Sequence, residues 1–465
     1  MSDALTPKVR SVENMVKRAR AITRSTPASA ACPTCHITIF VSVFFDGTGN
    51  NKDKDFPVCH SNVAALFDAH RVDEERGIAK LYYEGLGTAF EFKDRYEEVA
   101  VGQSRTGVVT AKFAGYKEDG ESMMGKGFAV GIQERLEKAV FDFCAEIERW
   151  RNIRRLDAVN LAVFGFSRGS TAARAFLHWL AAHSKIKVSG RKLTYDDIPI
   201  NVKFLGIFDT VESVGAAGEN KDAGVIKTSI PSFVENCSHF IAAHELRHAF
   251  PVTLSNNPNH RQVVYPGAHA DIGGGYKPNE QGRSNQLARM ALLNMLDEAR
   301  ATGLKMMSLG EMKADDDWAD VYSHSFQVPK EVMDSLAAYQ AIVKPAGSVQ
   351  QHFEAHMKHY QAWIDSGKAI ADVRHKRGDQ TKPEFRRKDL ETMEGLLSKL
   401  ARTDDGKGVF GAKKVSITEF TPADHFIAKY VHDSFEHFGI GGGALQTDMS
   451  MANYYQLRTI KMPLS

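Results

Sequence analysis

The stretch VNLAVFGFSRG, at residues 159–169, decides the fold. Its first part is apolar and short, as in a buried strand, and the alanine-rich segment that follows is typical of a helix. Residues 165–169 between them fit the G-x-S-x-G pattern of a nucleophile elbow, the tight turn that presents a serine at the end of a strand. Neighbouring backbone crowds such a turn, so its flanking positions must lack bulk, as Gly165 and Gly169 do. The predicted nucleophile is Ser167.

Strands and helices alternate on both sides of this elbow. Apolar strand-like runs lie at residues 37–45, 78–84, 159–164, 202–208 and 262–265. Helices are predicted from Ser61, over Phe128 to Trp150, and from about Ser284 to Ala299. This alternation predicts an α/β-hydrolase-like fold, a mostly parallel sheet with helices on both faces. In such sheets, ligands bind outside the carboxyl ends of the strands.

The chain divides into four regions by pattern. Residues 1–36 form an N-terminal arm and residues 37–303 the α/β-hydrolase core. Residues 304–420 are charged and helical in pattern, which predicts a helical insertion or cap. Residues 421–465 return to the core, with a last strand at 426–431 that leads into His432. The basic clusters at 374–377 and 386–388 fit a solvated face or, alternatively, contact with anionic lipid headgroups.

Composition excludes several classes of protein. The 465 residues are 43% hydrophobic and 25% charged, as in ordinary globular proteins. The net charge is +2, which gives no reason to expect nucleic acid as a partner. No apolar run approaches the roughly 20 residues that span a bilayer. The basic N-terminus has no apolar core, so no signal peptide is expected.

The five cysteines are too few and too scattered for a disulfide framework. Cys32, Cys35 and His36 fit a C-x-x-C-H haem-attachment pattern. The same residues resemble half of a zinc site, which Cys59 and His60 could complete. Ordinary thiols are the favoured interpretation, with a structural metal or a redox pair as alternatives. We therefore expect no metal and no cofactor.

A serine nucleophile needs a histidine base, and the base needs a carboxylate that orients it. In α/β hydrolases these follow in the order Ser, Asp or Glu, His. Two pairs satisfy that order after Ser167. Asp271 with His432 is favoured by topology, because the acid usually lies two strands beyond the elbow. Asp209 with His269 is the alternative, since both follow predicted strands.

The oxyanion of such a reaction must meet backbone N–H donors. One donor is expected from Arg168, directly after the nucleophile. The other is expected from the loop Gly47, Thr48 and Gly49, whose small residues let amides approach a substrate. This loop is not a phosphate-binding P-loop, because no Gly-Lys-Ser/Thr sequence follows it.

The segment HELRH at residues 244–248 supports a different chemistry. Its spacing fits the H-E-x-x-H zinc helix of metalloproteases. That interpretation requires a helix and a third ligand. The elbow explains more of the chain, so the zinc helix remains the lesser alternative.

Taken together, the motifs are similar to those of a known family. FFDGTGNN (44–51), GFSRG (165–169), FDTV (208–211), HADIGGGY (269–276) and VHDS (431–434) resemble the first class of type VI secretion lipase effectors. The resemblance spans somewhat over half of the chain. It carries over Ser167 as nucleophile, and it leaves both Asp–His pairs open because the motifs contain both.

The resemblance implies a bacterial phospholipase that cleaves acyl esters of membrane phospholipids. It also implies synthesis in the cytoplasm without a signal peptide and delivery by the type VI apparatus into a competitor's periplasm. The implied partners are a secretion spike protein and a cognate immunity protein. Two other functions stay open: a soluble carboxylesterase or thioesterase for small substrates, and a non-enzymatic interaction protein.

Overall fold

The structure is a computed structural model, and it describes residues 36–88, 128–212, 226–247, 250–379, 387–400, 415–434 and 457–464. The expected N-terminal arm, with Cys32 and Cys35, lies outside these residues apart from His36. Among the described residues, no helix is both long and apolar enough to cross a membrane.

Ten strands are present in the described part of the chain: β1 His36–Phe45, β2 Ile78–Tyr83, β3 Arg155–Phe166, β4 Ile186–Ser189, β5 Lys192–Tyr195, β6 Ile198–Phe208, β7 Cys237–Ala242, β8 Val252–Thr253, β9 Arg261–Tyr265 and β10 Ile460–Lys461. The α-helices are α1 Lys52–Asp55, α2 Asn62–Ala69, α3 Phe128–Arg151, α4 Arg168–Ala181, α5 His269–Gly273, α6 Leu287–Ala301, α7 Leu309–Ala314, α8 Ala319–Val321, α9 Lys330–Val343, α10 Val349–Asp365, α11 Lys368–Gly378, α12 Arg387–Leu400 and α13 Pro422–Tyr430.

The main sheet is mostly parallel, as predicted. Its parallel strands run in the order β2-β1-β3-β6-β7-β9. The short hairpin β4–β5 adds antiparallel strands beside the start of β6. A separate parallel pair joins β10, near the end of the chain, to β8. The elbow strand β3 therefore lies in the middle of the sheet, with its carboxyl end beside that of β6.

Side-chain alternation along the strands builds a core on each face of the sheet. In β1, Val41 and Val43 pack with α3 and α4, whereas Phe44 points to the opposite face. Phe44 stacks there on Phe164 at a ring distance of 4.8 Å, within the core that α2 and α6 cover. The predicted α/β fold with helices on both faces is confirmed.

The helices from α9 to α13 share a core of their own, which includes Tyr339, Trp363 and Phe426. Leu246 and Leu287 join this core from the sheet side, so the helical unit is fastened to the loop after β7 and to α6. By contrast, Met312 of α7 packs with the sheet. The helices predicted for residues 304–420 thus belong to two cores: α7 packs with the sheet, and α9 to α12 pack in the core of the helical unit.

The strand predicted for residues 426–431 is wrong, because residues 426–430 belong to helix α13 and Val431 is its C-cap. Thr421 caps the helix by accepting a hydrogen bond from the Asp424 amide, and the Asp424 carboxylate bonds back to the Thr421 amide. Pro422 stands at the first helical position, where a missing N–H costs nothing. His432 therefore follows a helix of the helical unit.

Candidate active site

Ser167 occupies a strained turn between β3 and α4. Its φ of 59° and ψ of −124° lie in a region that side chains other than glycine rarely adopt. The Ser167 amide donates to the Phe208 carbonyl at 3.0 Å, and its carbonyl accepts from the Val211 amide at 3.3 Å. These bonds fasten the serine to the end of β6, next to Asp209.

The two glycines of the elbow are required by close backbone contact. A Cβ on Gly165 would lie 2.5 Å from the Gly169 carbonyl oxygen. A Cβ on Gly169 would lie 2.3 Å from the carbonyl oxygen of Phe45. Both neighbouring atoms belong to the backbone, so neither can move aside without distorting the turn or strand β1. The expectation that both positions must lack bulk is therefore met by the geometry of the turn.

Asp209 and His269 form one buried pair beside the elbow. His269 Nδ1 lies 2.5 Å from Asp209 Oδ2, and the two side chains are 7% and 0% exposed. A carboxylate only accepts, so Nδ1 carries the proton and Nε2 is left as the acceptor. Burial lowers the pKa of His269, and the hydrogen bond and charge of Asp209 offset this only in part. Neutral His269 is therefore the form that can take up a proton.

One side of helix α5 faces the elbow, and the other side faces His432. A Cβ on Gly273 would lie 2.0 Å from the Phe166 ring, and the His269 ring lies 4.6 Å from the same ring. Residues four apart share a helix face, so His269 and Gly273 both face the residue that precedes Ser167. Asp271, two residues after His269, lies on the opposite side. The Asp209–His269 pair is thus the one that contacts the elbow.

Asp271 and His432 form a second buried pair. His432 Nδ1 lies 2.6 Å from Asp271 Oδ1, and the His432 amide donates to Oδ2 at 2.9 Å. The His432 ring stacks on Tyr276 at 4.0 Å. Its Nε2 is buried and makes no hydrogen bond within the described part of the chain. This pair joins the helical unit to α5.

Arg458 is a site residue that sequence reasoning missed. Its Nη1 lies 2.5 Å from Asp209 Oδ1, although the two residues are 249 positions apart. Burial would raise the pKa of Asp209, but the charge of Arg458 and the bond from His269 outweigh burial and hold this pKa well below its usual range. An isolated arginine near the end of the chain carries no motif that could have revealed this contact.

The described part of the HELRH segment, residues 244–247, is not a helix. It follows strand β7 as a loop, because residues 237–242 are a buried strand and the chain must turn after it. His244 Nδ1 accepts the Gly267 amide at 2.8 Å, and Glu245 is bound by Arg247 at 2.8 Å. His248 lies outside the described residues. Within the described ranges no group of three or more side chains could hold a metal ion. The zinc-helix interpretation requires a helix here, and residues 244–247 do not form one.

Glu245 supports the active-site loop. Burial would raise its pKa, but the charge and hydrogen bonds of Arg247 lower it to about 2. Its carboxylate accepts the Ser434 hydroxyl at 2.9 Å and the His269 amide at 3.3 Å. The Arg247 guanidinium lies 3.4 Å from the centre of the Phe250 ring, which meets the His269 ring edge-on at 5.1 Å. These contacts fix the start of α5.

The loop Gly47, Thr48 and Gly49, the predicted source of the second oxyanion donor, lies against the elbow, where a Cβ on Gly47 would lie 2.4 Å from the Phe166 ring. However, two of its amides already have acceptors: Gly47 donates to Asp46 Oδ1 at 2.7 Å and Gly49 to the Leu86 carbonyl at 2.8 Å. Burial raises the pKa of Asp46 to about 6 despite hydrogen bonds from Ser61 and Tyr82. The Thr48 hydroxyl oxygen is buried and has no partner among the described residues.

A serine on a strained turn at the centre of a parallel sheet defines a fold of the hydrolase class. The family model for the catalytic domain of Tle1-like phospholipase effectors of type VI secretion matches residues 41–190 and 181–298, more than half of the chain. The chain belongs to this family. The expected function, a phospholipase effector of type VI secretion, is thereby confirmed.

The comparison with solved structures finds two matches that bear on this chain, the first of which shares its fold. An uncharacterized protein from Pseudomonas aeruginosa is 20% identical, with a TM-score of 0.61, and the match covers 97% of this chain and 82% of that one. The Tle1 effector bound to the VgrG spike is 16% identical, with a TM-score of 0.41, and the match covers 70% of this chain and 84% of that one. A comparison with curated protein sequences finds no match.

Proposed function

We propose that this protein is a serine phospholipase A that hydrolyses acyl esters of membrane phospholipids with Ser167, His269 and Asp209. The contact of His269 with the elbow carries this assignment: its ring lies on Phe166, and its Nδ1 lies 2.5 Å from Asp209. Asp209 directly follows β6, whose last residue accepts the Ser167 amide. Ser167 and Asp209 thus follow two adjacent strands, and His269 reaches Asp209 from the helix that packs on Phe166, which supports the proposed triad.

The chemistry proceeds through an acyl-enzyme. Ser167 Oγ attacks the carbonyl carbon of the acyl ester while His269 Nε2 takes the hydroxyl proton. The lysophospholipid alcohol leaves with that proton, and the acyl group stays on the serine. His269 then takes a proton from water, whose oxygen attacks the acyl carbon. The fatty acid leaves, and the proton returns to Ser167.

The oxyanion is bound by two amides in this proposal. Arg168 lies in the first turn of α4, where backbone N–H groups point out of the helix end. Thr48 supplies the second donor, because the Gly47 and Gly49 amides already donate within the protein. Gly47 packs so closely on Phe166 that its Cβ would lie 2.4 Å from the ring, which brings the loop to the elbow.

Asp271 and His432 serve a structural role in this scheme. The Asp271 carboxylate accepts the Ala268 amide at 2.9 Å and thereby caps the helix that carries His269. His432 holds the same carboxylate from the helical unit. The pair favoured by topology is therefore assigned to positioning α5, and the alternative pair to catalysis.

Family membership supports a role outside the producing cell. We propose secretion by the type VI apparatus, action on phospholipids in the target-cell periplasm, a spike protein as carrier and an immunity protein as inhibitor in the producer. The Tle1 effector of the second solved structure is itself bound to a VgrG spike. No cofactor is needed for the proposed chemistry.

The test is the release of fatty acid from vesicles of mixed phospholipids. Ser167→Ala is expected to lower the rate by at least about a thousandfold, as in other acyl-transfer triads. Ser366→Ala in the helical unit is the matched control and should leave the rate unchanged. Cleavage of a short-chain ester but not of vesicles would favour a small-substrate esterase. Equal activity of wild type and Ser167→Ala would overturn the proposal.

A further inference from the structure

We infer that Arg458, in the segment 457–464 near the end of the chain, is a positioning residue that holds the Asp209 carboxylate against His269. This inference rests on the proposed triad. Arg458 touches neither Ser167 nor His269 through any hydrogen bond of the described residues, so it acts through Asp209. The active site is therefore complete only when this segment is docked.

The guanidinium is built into the site on several sides. Nη1 binds Asp209 Oδ1 at 2.5 Å and the Ala242 carbonyl at 3.2 Å, and Nε donates to the Phe250 carbonyl at 2.8 Å. The Arg458 side chain is 1% exposed. Asp209 Oδ1 also accepts the Ala242 amide, which leaves Oδ2 for His269. Oδ1 of Asp209 thus binds Arg458 and the Ala242 amide, whereas Oδ2 binds His269.

Backbone bonds fasten the segment 457–464 beside the site. Strand β10 pairs with β8, and the Val252 and Leu254 amides donate to the carbonyls of Thr459 and Lys461 at 2.9 and 3.0 Å. Further along, the Leu464 carbonyl accepts the amides of Thr228 and Ser229. Arg458 therefore enters the site from a segment whose following residues are hydrogen-bonded to residues 252–254 and 228–229.

A buried carboxylate without a counter-charge is costly, so it takes up a proton or draws one onto a neighbour. Here the neighbour is His269, and removal of Arg458 favours its protonated form, which is no longer a base. The other groups that act on this pair are Glu245 and Arg247 from the loop after β7, and His239 from β7 itself. Glu245 and Arg247 neutralise each other. Arg458 is then the counter-charge of Asp209.

The experiment measures kcat/KM against pH for a short-chain chromogenic ester in the full chain. Arg458→Met is expected to lower kcat/KM at neutral pH by roughly a hundredfold and to move the acidic limb of the profile to higher pH. Arg458→Lys keeps the charge and should restore much of the loss. Thr459→Ala, an exposed neighbour in the same segment, is the matched control and should match wild type.

A second background separates positioning from a general loss of folding. In Asp209→Asn, the change Arg458→Met should cost less than about threefold, because the group through which it acts is gone. The same loss in both backgrounds would overturn the inference, as would an unmoved acidic limb. If the ester is cleaved equally by Ser167→Ala, the proposed triad fails instead.

A spectroscopic readout tests the inference without any substrate. The His269 Nδ1 proton, held by a charged carboxylate, should give a low-field proton resonance in the wild type that His269→Ala removes. Arg458→Met should shift or abolish that resonance, while its circular dichroism spectrum should remain that of the folded wild type. An unchanged resonance in Arg458→Met would show that Asp209 is held without Arg458.

Discussion

At the scale of single residues, two histidine–aspartate pairs of similar geometry have different surroundings. The bond from His269 to Asp209 and the bond from His432 to Asp271 measure 2.5 and 2.6 Å. The His269 ring lies against the elbow, whereas His432 stacks on Tyr276. Sequence order alone could not separate the pairs, because both aspartates and both histidines follow the serine in the expected order.

Substitution of each histidine separates the two roles. His269→Ala removes the proposed base and should lower ester hydrolysis by about a thousandfold or more. His432→Ala should lower the rate by less than about tenfold, while the free energy of unfolding falls by about 1–3 kcal/mol because Asp271 loses a buried partner. Rates and urea unfolding of both variants measure this difference. The reverse order of the two rates would assign catalysis to His432.

At the scale of elements, the elbow depends on glycines whose neighbours are backbone atoms. Its strand, turn and helix were predictable, because short apolar runs and a G-x-S-x-G sequence leave few alternatives. Strand β7 was not predictable, because its last three residues begin the stretch FIAAHELRHAF (240–250), which has the composition of a helix. The strand instead pairs with β6 and β9. The segment before His432 has the closely spaced apolar residues that predict a strand, and only the cap at Thr421 marks it as a helix.

Gly165→Ala tests the close contacts of the elbow. Its Cβ would lie 2.5 Å from the Gly169 carbonyl oxygen, so the turn must open. We expect the variant to lose activity. We also expect its free energy of unfolding to fall by about 1–3 kcal/mol, because the added methyl group overpacks the turn. Gly395→Ala in α12 is the control, since a Cβ there meets nothing within 4 Å, and alanine favours a helix. Thermal unfolding and ester hydrolysis of both variants give the comparison, and wild-type values for Gly165→Ala would contradict it.

At the scale of the whole molecule, the site is assembled from distant parts of the chain. The serine and Asp209 follow strands of the sheet, Ser434 follows the last helix of the helical unit, and Arg458 comes from the segment 457–464. Hydrophobic pattern predicts the sheet, because it reports which residues are buried. It does not report which buried charges meet, so the contacts of Glu245 and Arg458 could not be foreseen.

Stability in acid follows from these buried charges. The pKa of Glu245 in the folded protein is about 2, below its ordinary value of 4.5, so its contribution is complete above about pH 4.5 and is lost as the pH falls toward 2. The shift corresponds to a few kcal/mol, on the order of 3. Glu245→Gln should therefore be less stable at pH 7 and should lose less stability between pH 5 and pH 3 than wild type.

Urea unfolding at pH 7, 5 and 3 measures this dependence. Glu331→Gln serves as the control, because Glu331 is an exposed partner of Lys429 and surface ion pairs contribute little. Parallel pH curves for wild type and Glu245→Gln would show that the carboxylate of Glu245 is not the source of the acid sensitivity.

Catalysis by Ser167 is tested most directly by a search for the acyl-enzyme itself. The protein is mixed with phospholipid vesicles, quenched in acid within the first turnovers and digested, and the peptides are analysed by mass spectrometry. A fatty acyl ester is expected on the peptide that contains Ser167, and it should be absent from Ser167→Ala. Fatty acid released by Ser167→Ala at the wild-type rate, or an acyl group on a different residue, would contradict a Ser167 acyl-enzyme.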